Sequence, residues 1–409
     1  MHTYSKPILG LSTIRSAAFL EIFHEYEKEL VQAGYHHVTA RLHLRSIAHF
    51  GVWLEREDLA IETIDEETIA AFEEHRSRCR CPGASRDRGR HVICSVRVFV
   101  RRLRARAIVP PKDDLPNPSP LVRGFLAWMR ADRGVVETTV RSYGQYVGDL
   151  VDHLGHTPDT YAARGLRDFV TQRYGHYGRN SIRMVLAAVR MFLRYLVSEE
   201  QCRPGLEHAL LSPANWSQQS LPRGLSSAQV QQVLRACPTT PMGVRDRAIL
   251  LLLIRLGLRA GDVAGLRWSD LCFDTGTIRV SGKGRRESQL PLPQDVGDAL
   301  LDYVRIRPGV QSERVFVRAV APFVPFRSGH AVSHVARSAL KRAGVRRPSS
   351  GAHVFRHTAA CQMVRQDVDL ESIAGVLRHR SIETTGIYAK VDRHLLEQVV
   401  QPWPQGAPC

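Results

Sequence analysis

Apolar residues recur along this chain at intervals of three and four, and that spacing predicts amphipathic helices rather than strands. Phe19, Ile22, Phe23, Tyr26 and Leu30 share one face of a first helix, and Leu42, Leu44, Ile47, Phe50 and Trp53 suggest a second. Residues 15 to 76 therefore read as helices, and Val92 to Val109 as another that carries Arg97, Arg101, Arg102, Arg104 and Arg106. Leu250 to Ile254 is apolar at every position, as a helix buried all round requires, and Gly257 reads as its break. Ser226-Ser227-Ala228-Gln229 has the form of a helix N-cap and opening turn. One segment leaves the helical period. The residues on either side of Gly282-Lys283-Gly284 alternate, which predicts a hairpin with Lys283 at or near its tip.

Breaks in the pattern divide the chain. Pro110 to Pro120 holds five prolines, which fix backbone angles and remove donors, so it can be neither helix nor central strand and reads as a linker. A second boundary is expected between Leu211 and Gly224, a polar stretch with proline at both ends. Residues 122 to 196 look like the first segment again at an offset of 100: Gly34 and Gly134, Thr39 and Thr139, Arg41 and Arg141, Leu54 and Leu154. The expected domains are 1–110, 117–212 and 222–402.

The chain's 409 residues carry 57 Lys and Arg against 40 Asp and Glu, a net charge of +17 that favours a polyanionic partner; ribosomal or membrane-surface binding fits it too. The basic helix near residue 100 is either a solvated face or a contact to a DNA backbone. No run of eighteen apolar residues appears and the first residues lead into no signal-like apolar core, so a soluble cytoplasmic protein is expected. Five of the eight cysteines are isolated, which argues against a secreted disulfide framework. Cys79 and Cys81, with His91 and Cys94 downstream, offer either a structural zinc site of unusual spacing or plain reduced thiols.

Four stretches carry candidate chemistry. An apolar run at Ile373, Val376 and Leu377 stops at Arg378-His379-Arg380, and a polar segment then leads to Tyr388. A phenol with a pKa of about 10 attacks only if cations stabilise the phenolate and a base takes its proton. Arg378, His379 and Arg380 offer both locally; the alternative is an ordinary half-buried tyrosine. On a helix His353, Arg356 and His357 lie on one face. A zincin pair would need Glu directly after the first histidine, where Val354 stands, and a guanidinium matches phosphate oxygens, so an anion suits this face better than a metal. Arg259, after the Gly257 break, either joins that anion site or forms a structural ion pair with Asp262. The spacing around Lys283 does not meet the phosphate-loop pattern, but a flexible lysine suits protonation of a departing alkoxide.

Gly257-Leu258-Arg259, Gly282-Lys283-Gly284, His353-Val354-Phe355-Arg356-His357 and Leu377-Arg378-His379, with Tyr388 nine residues on, follow the order and spacing of the tyrosine recombinase or phage integrase family. The chain resembles that family from about Leu225 to Val399. The resemblance implies a mainly α fold, with a SAM-like helical core-binding domain at 117–212, a mostly helical catalytic domain with a small hairpin or sheet, and an additional helical domain before them. It implies attack by Tyr388 on a DNA phosphodiester, leaving a 3'-phosphotyrosyl link and a free 5'-hydroxyl. Arg259 and Arg356 would hold the non-bridging oxygens, Lys283 would protonate the leaving oxygen, and His353 and His379 would assist. It implies no cofactor and no metal in the reaction, double-stranded DNA as partner, and a tetramer on DNA or an assembly with related recombinases. Arg141, Arg183, Arg190 and Arg194 would be phosphate contacts, and the apolar Leu395, Leu396, Val399 and Val400 would dock on a neighbouring subunit or on their own domain. Two positions depart from the family: Arg378 where Gly is usual, and Asp262 where Glu is common. Two other readings share the fold: an accessory DNA-binding member without activity, and a type IB topoisomerase-like relaxing enzyme.

Overall fold

The computed structural model describes residues 8, 10–79, 81, 91–111, 119–174, 178–211, 224–281, 287–346, 351–379 and 381–391. Lys283, Arg380, most of the proline-rich linker, the stretch 212–223 and the apolar residues after 391 lie outside the described residues. The chain is mainly helical, as expected, with one small antiparallel sheet.

The first four helices are α1 (Ala17–Gln32), α2 (His37–Arg56), α3 (Glu66–Arg78) and α4 (His91–Ala105). Each apolar stripe turns inward, so Phe19, Phe23, Leu44, Ile47, Phe50, Phe72 and Phe99 meet in one core. Leu42 is the exception and stands exposed, because it lies off the stripe that Leu44, Ile47 and Trp53 define. The 15–76 stretch holds three helices: α2 ends at Arg56, and Asp65 starts α3 by accepting from the Thr68 backbone N–H in a capping box. The arginine-rich helix α4 is shorter than expected, ending at Ala105. Arg97, Arg102, Arg104 and Arg106 lie beside Glu73, Glu29, Glu66 and Glu25, so this face is tied to acidic residues of its own bundle.

A second set of four follows: α5 (Pro120–Ala131), α6 (Glu137–Leu154), α7 (Ala163–Tyr174) and α8 (Arg179–Ser198). Ser119 caps α5 and Pro120 takes its first turn, where a missing N–H costs nothing. The offset of 100 seen in the sequence has a structural counterpart. α2 and α6 start at His37 and Glu137, and Gly34 and Gly134 both take positive φ in the turn just before them. A side chain is strained in that conformation, which accounts for glycine at both places.

The remaining helices are α9 (Ser227–Arg235), α10 (Pro241–Arg255), α11 (Ala260–Gly265), α12 (Gln294–Ile306), α13 (Gly329–Arg342), α14 (Ala352–Val364) and α15 (Leu370–Leu377), with strands β1 (Leu271–Cys272), β2 (Thr277–Ser281) and β3 (Glu287–Pro291). Ser226 and Gln229 form the capping box of α9. The sheet runs β1-β2-β3, and β2 pairs with β3 from Thr277 opposite Pro291 to Ser281 opposite Glu287, so the expected hairpin is present. Helix α10 is buried from Ala248 to Ile254 and packs against α12, α13 and α14. Truncating one of its leucines to alanine would cost about 2–5 kcal/mol. Among the described residues no helix is long and apolar enough to cross a membrane.

Candidate active site

The site is assembled where α10, α11, α14 and α15 end or begin. Gly257 ends α10 at a φ of 58°, and a Cβ there would sit 2.6 Å from the Leu377 side chain. Both constraints demand glycine. That turn delivers Arg259 to the residue just before α11, where its backbone N–H donates to the Asp262 carboxylate at 3.0 Å.

Arg356 projects from α14 and is buried. Its guanidinium donates to the carbonyl of Gly257 and to that of Leu377, bonding the end of α10 to the end of α15. Arg259 reaches the same place, donating from Nη2 to the carbonyl of Arg378 at 2.8 Å. The two arginines that head separate motifs in the sequence are therefore drawn together by backbone oxygens of the third motif.

Arg378 explains its own departure from the family. It follows the last residue of α15 with a φ of 54°, its N–H donates to the Gly375 carbonyl, and the His379 N–H donates to that of Ala374, both at 3.0 Å. This is a Schellman turn, whose left-handed residue is usually glycine. The turn is kept, at a cost of about 1 kcal/mol for carrying a Cβ in that conformation. The Arg378 guanidinium meets the Asp262 carboxylate, and the two side chains are 6 % and 10 % exposed. The expected Arg259–Asp262 ion pair is thus replaced: Asp262 holds Arg259 through its backbone and pairs with Arg378. The two unusual residues of this chain are each other's partners. Arg378 Nε and Nη1 are buried with no hydrogen-bond partner among the described residues.

Tyr388 lies in a short 3-10 turn, Gly386–Val391, packed on α14. Its ring is 1 % exposed and joins a small core with Cys361, Ile373 and Leu377. Its hydroxyl is 2.8 Å from Nδ1 of His357. The sequence places the base in the Arg378–Arg380 cluster, but His379 Nδ1 is 2.7 Å from the Thr385 hydroxyl instead. His357 is the partner that motif order alone passes over, although its place on the face of His353 and Arg356 was readable from helical spacing. The rings of His353 and His357 stand 4.2 Å apart.

Three guanidinium groups around one carboxylate leave a local excess of positive charge, and the titrating groups respond. Burial, then the charges of Arg259 and Arg378, holds Arg356 down to about 10. His357 and His379 are each pushed down to about 4, first by burial and then by neighbouring imidazole and guanidinium groups, and His353 is lowered by burial, Arg356 and Arg259. Burial raises Tyr388 to about 12, against the opposing pull of Arg356. At neutral pH the arrangement is therefore a neutral phenol on a neutral imidazole beside fixed cations.

Other proteins share much of this chain. Residues 223–394 match the phage integrase family, and residues 122–200 match the phage integrase N-terminal SAM-like domain. The protein y4rA of Sinorhizobium fredii is 34 % identical over 385 residues, 92 % of each chain. Tyrosine recombinase XerD of Yersinia pestis is 31 % identical over 69 % of this chain and 96 % of its own length. Among solved structures, the XerH site-specific recombinase bound to palindromic difH substrate overlays with a TM-score of 0.56 at 16 % identity, over 70 % of this chain and 97 % of that one. A lambda integrase dimer (residues 75–356) bound to a COC' core site gives 0.54 at 16 % identity, over 70 % and 98 %. At those identities the overlays speak for the fold, while the two relatives and the two family models speak for descent; the chain belongs to the phage integrase family of tyrosine recombinases, site-specific enzymes that cut and rejoin DNA.

Proposed function

We propose that Tyr388 is the nucleophile of this recombinase and that Arg259, Lys283, His353, Arg356 and His379 serve the scissile phosphate. The observation that carries the reading is the bonding of Arg356 and Arg259 to the adjacent backbone carbonyls of Leu377 and Arg378, with Tyr388 held through His357 against the helix that carries Arg356. Arg259 and Arg356 receive the non-bridging oxygens and stabilise the charge that builds in the transition state, a task fixed donors perform without reorganising. The Tyr388 oxygen forms a bond to phosphorus as the bond to the 5'-oxygen breaks, and Lys283 gives that oxygen its proton. His357 accepts the phenolic proton, and His353 and His379 support the phosphate. A 5'-hydroxyl from a second DNA end reverses these steps. Since the Tyr388 hydroxyl is buried against His357, attack follows a rearrangement of residues 382–391 once DNA is seated.

The domains of this reading are an additional helical domain at 1–110, a core-binding domain at 117–212 and the catalytic domain at 222–402. Its partners are double-stranded DNA and further copies of the chain, as a tetramer on DNA, or related recombinases; its compartment is the cytoplasm. The solved complexes named above are of proteins bound to DNA, one of them as a dimer, which supports this assembly.

The test is Tyr388→Phe on a nicked duplex that traps covalent product. Wild type accumulates a protein–DNA adduct, and the variant binds the duplex but forms none. Adduct persisting in the variant would remove Tyr388 from the role. Wild type that shifts the duplex without adduct would make this an accessory binder, and relaxation of a plasmid lacking the site would favour the topoisomerase-like reading.

A further inference from the structure

The first helical bundle contains a cluster that the recombination chemistry does not use. His49 from α2, His75 from α3, Cys79 at the end of α3 and Cys81 just beyond it place their ligand atoms all within 4.8 Å of one another. His49 Nε2 is 3.1 Å from the Cys79 sulfur, and His75 Nε2 is 3.4 Å from the Cys81 sulfur. The zinc set expected from the sequence took His91 and Cys94 as partners of these thiols. The structure gathers His49 and His75 instead, with Cys94 exposed. His75 and Cys79 are four apart and so share a helix face, while His49 comes from a neighbouring helix that no spacing rule connects to them.

We propose that His49, His75, Cys79 and Cys81 bind a zinc ion that fastens α2 to the end of α3. Two thiolates and two imidazoles in a tetrahedron form a closed structural zinc site. With bonds of about 2.3 Å to sulfur and about 2.0–2.1 Å to nitrogen, a tetrahedron separates sulfur from nitrogen by about 3.6 Å and the two sulfurs by about 3.8 Å. The His49–Cys79 and His75–Cys81 separations of 3.1 and 3.4 Å lie within a few tenths of an ångström of the sulfur–nitrogen value, and the remaining separations, all within 4.8 Å, need close by at most about 1 Å. Softer ligands of this kind select zinc over magnesium or calcium, which take oxygen.

Each sulfur faces two donors or imidazoles: Cys79 meets His49 and the Cys81 backbone N–H at 3.2 Å, and Cys81 meets His75 and the Arg56 guanidinium at 3.2 Å. N–H groups turned toward sulfur are what stabilises a metal-bound thiolate from outside the ligand set. The His49 ring lies edge-on to Phe72 at 5.1 Å between centroids, and the His75 ring is 6.0 Å from that of Trp53, so the imidazoles are oriented by the core. The ion's role is mechanical. The bundle joins α3 to α4 by a long connection, 79–90, and a metal at its start fixes where that connection leaves the core.

The full-length protein, purified with added zinc and then dialysed against metal-free buffer, is expected to retain about one zinc per chain by mass spectrometry of the metal. Replacing zinc with cobalt should give the visible bands of a tetrahedral ion together with a thiolate charge-transfer band. The pair Cys79→Ser and Cys81→Ser should lose both signals, and the pair His91→Ala and Cys94→Ser should keep them. In case the serine variants fail to fold, alkylation of wild type supplies a second readout: Cys79 and Cys81 should react slowly with zinc present and quickly after a chelator, as mapped on their peptide. Wild type that holds well under one zinc per chain, a cobalt form without the sulfur band, metal kept by the serine pair, or alkylation indifferent to the chelator would each overturn the proposal.

Discussion

His353 and His357 stand one turn apart on α14, with rings 4.2 Å apart, and His49 and His75 approach from α2 and α3 to 5.9 Å. The first pair lies beside Arg356 and, through His353, Arg259, with Arg378 and Asp262 next to Arg356, and the second is flanked by two thiols with Arg56 outside. An imidazole serves either setting, because its neutral form both donates and accepts. What differs is the charge its neighbours bring. Guanidiniums cannot shed theirs and so call for an anion, whereas thiols can lose protons and become anions that call for a metal. Paired histidines in a sequence therefore say little until their neighbours in space are known.

The largest effect that would break this contrast is loss of Arg356. Arg356→Ala removes a fixed donor from the phosphate site and leaves the carbonyls of Gly257 and Leu377 without their partner. Adduct formation on a nicked duplex should fall by ~100-fold to ~1000-fold, and the melting temperature should drop as well. Arg356→Lys keeps the charge but not the planar fork, so it should recover part of the stability and little of the rate. Zinc content should be unchanged in both. A variant that cleaves normally would show that Arg356 only braces the turn.

Much of this fold was legible in advance, and the reason differs by element. The buried stretch of α10, the cap at Ser226 and the hairpin of β2 and β3 follow from local rules that need only neighbouring residues. The offset of 100 was legible because glycine is favoured where a turn takes positive φ, as at Gly34 and Gly134. Arg259 and Arg356 were legible only as members of an ordered set of motifs. The partners of those motifs were not. His357 on Tyr388, Arg378 on Asp262, and His49 on Cys79 are contacts across tens of residues or more, which no periodicity encodes.

The Asp262–Arg378 pair offers a smaller and more selective test. Removing one member of a buried ion pair costs about 3–5 kcal/mol because the other is left uncompensated. Arg378→Gly also relieves the left-handed backbone, worth about 1 kcal/mol, so its net loss should be nearer 2–4 kcal/mol. Asp262→Asn keeps an oxygen for the Arg259 N–H and loses the charge. Combined, the two changes should destabilise less than their sum by about 0.5–3 kcal/mol in a denaturant titration. Strict additivity would mean that the two residues, each unusual for the family, do not compensate one another.

The smallest expected effect concerns protons. His357 and His379 have folded-state values of about 4, below the ordinary histidine value of about 6.5. Between those limits the unfolded chain binds more protons than the folded one, so stability falls as pH is lowered from about 6.5 toward 4 and the contribution is fully present above that window. A DNA phosphate beside Arg259 and Arg356 offsets the guanidinium charges that, after burial, hold these imidazoles neutral. Both values should then rise by about one unit or more. The measurement is a histidine NMR titration of Tyr388→Phe, free and bound to its duplex, the substitution preventing turnover during the experiment. Imidazoles already titrating near 6.5 without DNA would mean that solvent, rather than this ring of guanidiniums, sets their charge. Values that stay near 4 with DNA bound would put the phosphate elsewhere, and the contrast between an anion pocket and a metal site would lose its first half.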